Sequence, residues 1–188
     1  EKINTINDYA FKECNNLSYV YISEYIKEIG EKCFYNCTSL SRIHIPKKCV
    51  FGEDIFYGCT NLKEFGTYYK GYVSDDNRCY VDKDNRILMF FAQGDLKEKS
   101  YTIPDNIKEI NRSAFRNSNI ESITLNSSTK TIGDYAFENC KNLKTINNWD
   151  NVEVICGHAF SECSKLGEIS YPNNVEKIGN NAFYGCTN

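Results

Sequence analysis

One motif recurs along this chain at a nearly fixed period, and that period constrains the fold more than any other feature. A phenylalanine marks each copy, and successive copies lie 22 or 23 residues apart, except across one interval of 59 residues. A cysteine usually stands three positions after the phenylalanine. The recurring residues are Phe11, Phe34, Phe56, Phe115, Phe137, Phe160 and Phe183, with Cys14, Cys37, Cys59, Cys140, Cys163 and Cys186. Self-similarity at this period indicates a repeat protein.

Alternating apolar and polar residues follow the leucine that comes after each cysteine. The segments SRIHIP (41–46), ESITL (121–125) and GEISYP (167–172) show this period of two, which predicts short β-strands. A strand of about five residues buries too little surface alone, so equivalent strands of successive copies must lie side by side in parallel. The sequence predicts a solenoid with one parallel sheet along one face, and a turn at each Gly-x-x-Ala-Phe stretch.

The repeated cysteines are interpreted as a buried ladder. Equivalent residues of successive coils stack, and cysteine is a small apolar residue that suits a tight buried turn. Stacked side chains point the same way, which the geometry of a disulfide disfavours, so we expect inert thiols. A metal site is the alternative, but no two ladder cysteines have C-x-x-C spacing, and His44 and His158 differ in phase within the repeat.

One segment, residues 66–100, departs from the period. Within it RCYV (78–81) and RILMFF (86–91) flank the turn-rich sequence DKDN, which predicts a β-hairpin. The segment is rich in aromatic residues. Its rings either pack the hairpin against neighbouring coils or form a recognition loop, and the sequence leaves both interpretations open.

The repeat unit I-G-x-x-A-F-x-x-C-x-x-L-x-x-I-x-I-P resembles the BspA-like leucine-rich repeat, also called the Treponema pallidum type. This family occurs in cell-surface proteins of bacteria and protists, and the resemblance covers nearly the whole chain. It implies a leucine-rich repeat solenoid, a right-handed β/α-type superhelix or arc. A concave parallel sheet of about seven short strands, and a convex side of turns and 3₁₀ segments, are expected from it. It also implies adhesion to host, matrix or cell-surface molecules.

Composition and motifs exclude several function classes. The net charge is −3 and the pI is about 5.5, so no basic excess exists to bind a nucleic acid backbone. No apolar stretch approaches the length of about 20 residues that a membrane span requires. No set of base, nucleophile and orienting group is found, so we expect neither an enzyme nor a cofactor.

Binding is the remaining function, and the strand alternation predicts which residues face outward. The ligand is expected to be a protein or a glycan, held either by the outward strand positions or by the hairpin segment. A merely solvated sheet face is the alternative. The candidate partner-binding residues are Tyr19, Tyr21, Arg42, His44, Glu64, Tyr68, Tyr69 and Tyr72.

Residues 1–188 are interpreted as a single leucine-rich repeat domain, with 66–100 as a hairpin-bearing insertion. We expect further repeats or a cap in a longer protein, because an open solenoid end exposes core residues. The resemblance favours the cell surface or the extracellular space. The alternative is an intracellular leucine-rich repeat scaffold for protein–protein interaction, in which all ten cysteines would be reduced.

Overall fold

A computed structural model describes residues 3–67, 69, 72–167 and 172–188. The chain divides into two compact units. The N-terminal unit comprises Glu1–Tyr80 and Ala92–Asp95, and the C-terminal unit comprises Val81–Phe91 and Leu96–Asn188. Each unit is a stretch of parallel β-solenoid, and its described residues include no helix. The prediction of one domain over 1–188 stays a prediction.

The strands are two to five residues long, as expected for coils of 22 or 23 residues that turn several times. The N-terminal unit contains β1 (Thr5–Ile6), β2 (Tyr19–Tyr21), β3 (Glu28–Ile29), β4 (Arg42–His44), β5 (Val50–Phe51) and β6 (Glu64–Gly66). Strand β7 (Cys79–Asp82) spans the boundary between the units. The C-terminal unit contains β8 (Ile87–Phe91), β9 (Ser100–Thr102), β10 (Glu109–Ile110), β11 (Ser122–Thr124), β12 (Thr131–Ile132), β13 (Thr145–Asn147), β14 (Val154–Ile155) and β15 (Lys177–Ile178).

Two parallel sheets run along each unit, whereas the sequence predicted one. The predicted strands, which follow the leucine, form the sheets β2-β4-β6 and β9-β11-β13. The additional strands precede the phenylalanine and form β1-β3-β5 and β8-β10-β12-β14-β15. Most of these additional strands are only two residues long, too short for an alternating pattern to reveal them. The third predicted strand segment, 167–172, lies largely outside the described residues.

The phenylalanines form a stacked ladder in the interior of each unit. In the N-terminal unit the Phe11 and Phe34 ring centroids are 5.2 Å apart, and the rings are nearly parallel. In the C-terminal unit the Phe115–Phe137 and Phe137–Phe160 distances are 4.9 and 5.1 Å. These spacings follow the separation of parallel strands, so one ring occupies each coil. Phe34, Phe115, Phe137 and Phe160 are fully buried, whereas Phe11 in the first coil is 37% exposed.

Each coil turns with two residues in the left-handed region, placed two positions before and two positions after the ladder phenylalanine. These residues are Tyr9, Glu13, Lys32, Asn36, Asp54, Gly58, Ser113, Asn117, Tyr135, Asn139, His158, Glu162, Asn181 and Gly185. A left-handed residue interrupts a run of 3₁₀ dihedrals. The prediction of 3₁₀ segments is therefore wrong for the described residues, whose turns contain none.

The ladder cysteines have a specific hydrogen-bonding role. The Cys37 Sγ donates to the Phe11 carbonyl oxygen at 2.9 Å, and the Cys140 Sγ donates to the Phe115 carbonyl oxygen at 3.1 Å. The thiols of Cys59, Cys163 and Cys186 make the equivalent bond to the ladder phenylalanine of the preceding coil. All ten cysteines are free thiols. The cysteine therefore fills the turn and also ties adjacent coils together.

The predicted hairpin is confirmed, because β7 and β8 are neighbours in one sheet and are joined by a turn over 83–86. The Asp82 side chain accepts hydrogen bonds from the backbone N–H groups of Asp84 and Asn85, both at 3.1 Å. Strand β8 also pairs in parallel with β10, and the Phe91 ring stacks on Phe115 at 4.4 Å. Part of the segment 66–100 thus takes the place of a coil in the C-terminal unit.

Candidate binding face

The exposed side chains of β2, β4 and β6 form two rows across the N-terminal unit. The strand register aligns Tyr19, Arg42 and Glu64 in one row and Tyr21, His44 and Gly66 in the other. The inward row Val20, Ile43 and Phe65 lies between them, because alternate residues of a strand point to opposite faces; Ile43 and Phe65 are buried, and Val20 is half-buried. The tyrosine face is the name used below for the two exposed rows: Tyr19, Tyr21, Arg42, His44, Glu64 and Gly66.

Aromatic rings dominate the second row of this face. The Tyr21 ring stacks on the His44 imidazole, with centroids 5.0 Å apart and an interplanar angle of 25°. Gly66 follows in the next coil, and a Cβ on it would lie 2.9 Å from His44 Nδ1. The absence of a side chain at Gly66 therefore lets the imidazole keep its position against Tyr21. Tyr21 is 47% exposed and His44 is half-buried, so the tyrosine is the more accessible ring of the pair.

The first row opens into a groove of about 500 Å³. The Arg42 Nε lies 3.1 Å from Glu64 Oε1, and both side chains are more than a third exposed. Tyr19, which is 51% exposed, stands at the end of this row. The groove is lined by Tyr19, Ser41, Arg42, Lys63, Glu64, Asp76 and Arg78.

The cations of the groove are all held by acceptors of the same unit. The Lys63 Nζ lies 3.4 Å from an Asp95 carboxylate oxygen. The Arg78 guanidinium donates to the carbonyl oxygens of Ala92, Gly94 and Asp95 at 3.0 to 3.3 Å. The three cations Arg42, Lys63 and Arg78 are thus matched in number by the carboxylates of Glu64, Asp76 and Asp95, so the formal charges in and beside the groove sum to zero.

The His44 imidazole is the titratable ring of the tyrosine face. Burial lowers the pKa of this group below its ordinary value, while the Glu24 carboxylate raises it and the Arg42 guanidinium lowers it to smaller extents. The net direction favours the neutral ring near neutral pH. The ring that stacks on Tyr21 therefore adds no positive charge to this face.

The three tyrosines predicted in the hairpin segment have different positions. Tyr68 lies outside the described residues. Tyr69 is 39% exposed, and the Lys47 Nζ lies 5.2 Å from its ring centroid, within cation–π range. Tyr72 is only 3% exposed and contacts the ring of Tyr80, so it is a packing residue and not an accessible binding residue. The packing interpretation of the segment holds for Tyr72 and Tyr80, and Tyr69 alone of the described pair remains open to a partner.

The corresponding sheet of the C-terminal unit presents small polar side chains. The Thr145 Oγ1 donates to Ser122 Oγ at 2.8 Å, and the Asn147 Nδ2 lies 3.2 Å from Ser122 Oγ and 3.3 Å from Thr124 Oγ1. The hydroxyl face is the name used below for the outward residues of β9, β11 and β13: Ser100, Thr102, Ser122, Thr124, Thr145 and Asn147. Part of its hydrogen-bonding capacity is thus used between coils.

Neither a metal cluster nor a membrane span is found in the described part of the chain. No group of three or more His, Cys, Asp and Glu side chains there is arranged to hold a metal ion. The same residues contain no helix long and apolar enough to cross a bilayer. Burial raises the pKa of the Cys59 and Cys140 thiols to about 12, so these groups are protonated and poorly nucleophilic at neutral pH.

Four residues that line the groove are absent from the predicted set: Ser41, Lys63, Asp76 and Arg78. The prediction also missed that Gly66 leaves a gap in the face. Ser41 immediately precedes β4, and Asp76 and Arg78 belong to the segment outside the repeat. No periodic signal marks Asp76 or Arg78, because their positions depend on how the hairpin segment folds back on the coils. Gly66 was detectable, since it stands two residues after Glu64, where the alternation predicts an outward side chain.

Comparisons with known proteins agree with this geometry. The family model described as the BspA type leucine-rich repeat region, in six copies, matches residues 1–75 and 89–188. No curated protein sequence matches the chain. A leucine-rich cell surface protein from Faecalibacterium prausnitzii has a similar crystal structure, with a TM-score of 0.72 and 24% identity over 96% of this chain and 54% of that chain.

Two further solved structures are similar. The pneumococcal vaccine antigen PcpA gives a TM-score of 0.70 and 23% identity over 97% of this chain and 52% of that chain. A leucine-rich repeat protein of T. pallidum gives a TM-score of 0.53 and 21% identity over 98% of this chain and 71% of that chain. Identities this low show a shared fold alone. The chain spans about half the length of the first two proteins.

Proposed function

Because the chain belongs to the BspA-type leucine-rich repeat family, we propose that it is a non-catalytic recognition module whose partner contacts the tyrosine face. The family is a repeat scaffold typical of surface and protein-interaction modules, and its repeated residues build the frame. The function therefore depends on residues that differ between coils at outward positions. The adhesive role, the partner and the location at the cell surface are parts of this proposal.

The composition of the tyrosine face carries the proposal. Tyrosine and arginine are the residues most enriched where binding energy concentrates, and here they occur together on one exposed sheet. Tyr19 and Tyr21 are about half exposed, although a folded protein would usually bury much of such a ring. The Tyr21–His44 stack holds two rings in place before any partner arrives, which lowers the entropic cost of binding.

Cell-surface location is supported by the family and by the similar solved structures. One of those proteins is described as a cell surface protein and another as a vaccine antigen. For the present chain the same location makes adhesion to a host, matrix or cell-surface molecule the most direct use of an exposed aromatic face.

Adhesion of paired variants tests the proposal. The double change Tyr21→Ser with Arg42→Ser should leave folding nearly intact and reduce binding to cells or matrix by about tenfold or more, because it removes both kinds of anchor. The matched control is Thr102→Ser with Asn147→Ser on the hydroxyl face, which should bind as the parent does. Equal binding by all three proteins would contradict the placement of the site.

A second candidate is an intracellular scaffold for protein–protein interaction. One observation favours it: all ten cysteines are free thiols, which a reducing compartment maintains. Alkylation of thiols before lysis of the native source, followed by a count of modified cysteines on intact cells and on lysate, separates the two candidates. A surface protein is modified at its accessible thiols by an impermeant reagent on intact cells, and an intracellular scaffold is not.

A further inference from the structure

We propose that the groove beside the tyrosine face binds an uncharged saccharide, carried by the surface partner or free in solution. This inference rests on the proposed function and specifies its ligand class. Three properties of the groove carry it: exposed aromatic rings beside it, donors and acceptors together in its lining, and charges that are already balanced. A saccharide without carboxylate or sulfate groups is the ligand that matches all three.

The aromatic rings supply flat apolar surfaces at the edge of a polar groove. Tyr19 lines the groove directly, and Tyr21 follows two residues later on the same face of β2. A pyranose ring has an apolar face of C–H groups that packs against an aromatic face, while its hydroxyl groups point sideways. Tyrosine also orders at low entropic cost, because few of its bonds rotate. The rings thus favour a ligand with an apolar face and a polar edge.

The lining contains both hydrogen-bond donors and acceptors. Arg42 and Lys63 carry donors and Glu64 and Asp76 carry acceptors, while the Ser41 hydroxyl donates to the Ser18 carbonyl oxygen at 2.9 Å and keeps acceptor lone pairs. A sugar hydroxyl is also both donor and acceptor, so adjacent hydroxyls can satisfy a cation and a carboxylate at the same time. A proline-rich peptide presents carbonyl acceptors and few backbone donors, so it would match the cations of this lining but not its carboxylates.

Charge balance disfavours an anionic ligand. Arg42 lies against Glu64, Lys63 lies against Asp95, and the Arg78 guanidinium is occupied by three carbonyl oxygens. A sulfated or carboxylated chain would have to displace these partners and would meet the Glu64 and Asp76 carboxylates. An uncharged polyol adds hydrogen bonds without separating any of the pairs. The ligand therefore complements the groove by hydroxyl groups and not by net charge.

The size of the groove agrees with a short oligosaccharide. Its volume of about 500 Å³ lies inside the range of about 300 to 1,000 Å³ that is usual for small-ligand sites. An open groove suits weak binding of a single ligand. Many copies of the ligand on one surface would then raise the overall affinity.

Titration with defined probes tests the ligand class. Lactose, chitotriose and mannotriose serve as neutral probes, and a heparin hexasaccharide and a glutamate-rich peptide serve as anionic probes, each followed by NMR shifts of the chain. We expect at least one neutral probe to bind, with an affinity that changes less than about twofold when salt is raised severalfold, because no ion pair forms. No binding by any neutral probe, or binding of the anionic probes alone, would overturn the proposal.

Matched variants locate the bound saccharide. Tyr19→Ser should weaken binding of the neutral probe by about tenfold. Tyr25→Ser is the control, because Tyr25 is 56% exposed in the same unit but does not line the groove. Equal loss in both variants would show nonspecific contact with exposed rings and would contradict the assignment to the groove.

Adhesion to chemically treated surfaces separates this inference from the proposed function. Periodate destroys vicinal diols of surface glycans, whereas protease treatment removes proteins. Adhesion that survives periodate but not protease would refute the saccharide ligand and leave the recognition function standing. Loss of adhesion after periodate supports both. If the chain adheres to no untreated surface, the proposed adhesion fails, and the probe titration alone then decides whether the groove binds a saccharide.

Discussion

The tyrosine face and the hydroxyl face are built on the same frame and differ in almost every outward residue. Both consist of three parallel three-residue strands in register, with an inward residue at the centre of each strand flanked by outward ones. The first carries tyrosine, arginine and histidine, and the second carries serine, threonine and asparagine. The inward residues alternate with these, so a change at an outward position does not disturb the core.

The repeat keeps the inward residues similar in both units and lets the outward residues differ. On the hydroxyl face, side chains of adjacent coils hydrogen-bond to one another. On the tyrosine face, the ring stack and the ion pair also join adjacent coils, but they leave wide aromatic and charged surfaces exposed. The first arrangement is a stable solvated surface, whereas the second keeps contact area available for a partner.

The largest expected effect is a loss of stability when a ladder phenylalanine is removed, and it tests whether both units have the same kind of core. Phe34→Ala and Phe137→Ala should each lower the free energy of unfolding by about 3 to 5 kcal/mol, because each removes a fully buried ring from the ladder. Phe11→Ala is the control and should cost clearly less, since that ring is partly exposed. Chemical denaturation measures all three. If only one of the two buried-ring variants lost stability, the cores of the two units would not be equivalent, and a comparison of their faces would have no common basis.

The next effect concerns the cysteine ladder in each unit. Cys37→Ala and Cys140→Ala should each lower the free energy of unfolding by about 1 to 2 kcal/mol, because each leaves a small cavity and removes a thiol hydrogen bond. The cost stays moderate because the carbonyl acceptors keep a backbone donor: the Cys14 N–H bonds to Phe11 and the Ser118 N–H bonds to Phe115.

Reducing agent provides the control for this prediction. Because all ten cysteines are free thiols, the melting temperature should be the same with and without reductant. A marked fall in the melting temperature on reduction would show that disulfides contribute to stability and would contradict the ladder of thiols.

Double-mutant cycles sharpen the comparison between the two exposed faces. The Tyr21–His44 pair should show a coupling energy of about 0.5 to 1.5 kcal/mol, as stacked rings do. The Thr145–Ser122 pair, an exposed hydrogen bond, should show about 0.5 kcal/mol or less. Urea unfolding of the four proteins in each cycle gives both values. Equal couplings would mean that the aromatic face is no more preorganised than the polar one.

The smallest expected effect is a dependence of stability on pH that arises from His44 on the tyrosine face. The pKa of His44 is lower in the folded protein than its ordinary value, so protonation opposes folding. The stability that this group contributes is complete above its unfolded pKa of about 6.5 and is lost as the pH falls through the lower folded pKa. His44→Asn should remove that component. Melting temperatures of both proteins between about pH 8 and about pH 5 measure it, and parallel profiles would contradict the prediction.

The fold could be predicted from the sequence because one period repeats the same core residue types. Phe137 and Cys140 recur with their equivalents at fixed offsets, and only stacked coils explain that recurrence. The additional short strands were missed because pairs such as Glu28–Ile29 are too short to show alternation. The left-handed turn residues were missed because Tyr9, Lys32 and Glu162 are not residue types that usually mark such a conformation.

The candidate site was less predictable for a related reason. Register alone placed Tyr19 beside Arg42 and Tyr21 beside His44, since equivalent residues stack. Arg78 lies outside the repeat, so its place in the groove depends on the fold of an aperiodic segment. The sequence could not show that Tyr72 is buried, because an aromatic residue in such a segment looks the same whether it is buried or exposed.

The thiol hydrogen bonds between coils allow the number of coils to change while the contacts between neighbouring coils stay the same. The thiols of five ladder cysteines each reach the carbonyl oxygen of the phenylalanine in the preceding coil, 25 or 26 residues earlier in the chain; they are Cys37, Cys59, Cys140, Cys163 and Cys186. Deletion or duplication of a whole period in the gene joins a thiol to an equivalent carbonyl. Unequal recombination between repeats can therefore produce longer or shorter surfaces that remain foldable, and it redistributes the outward residues at the same time.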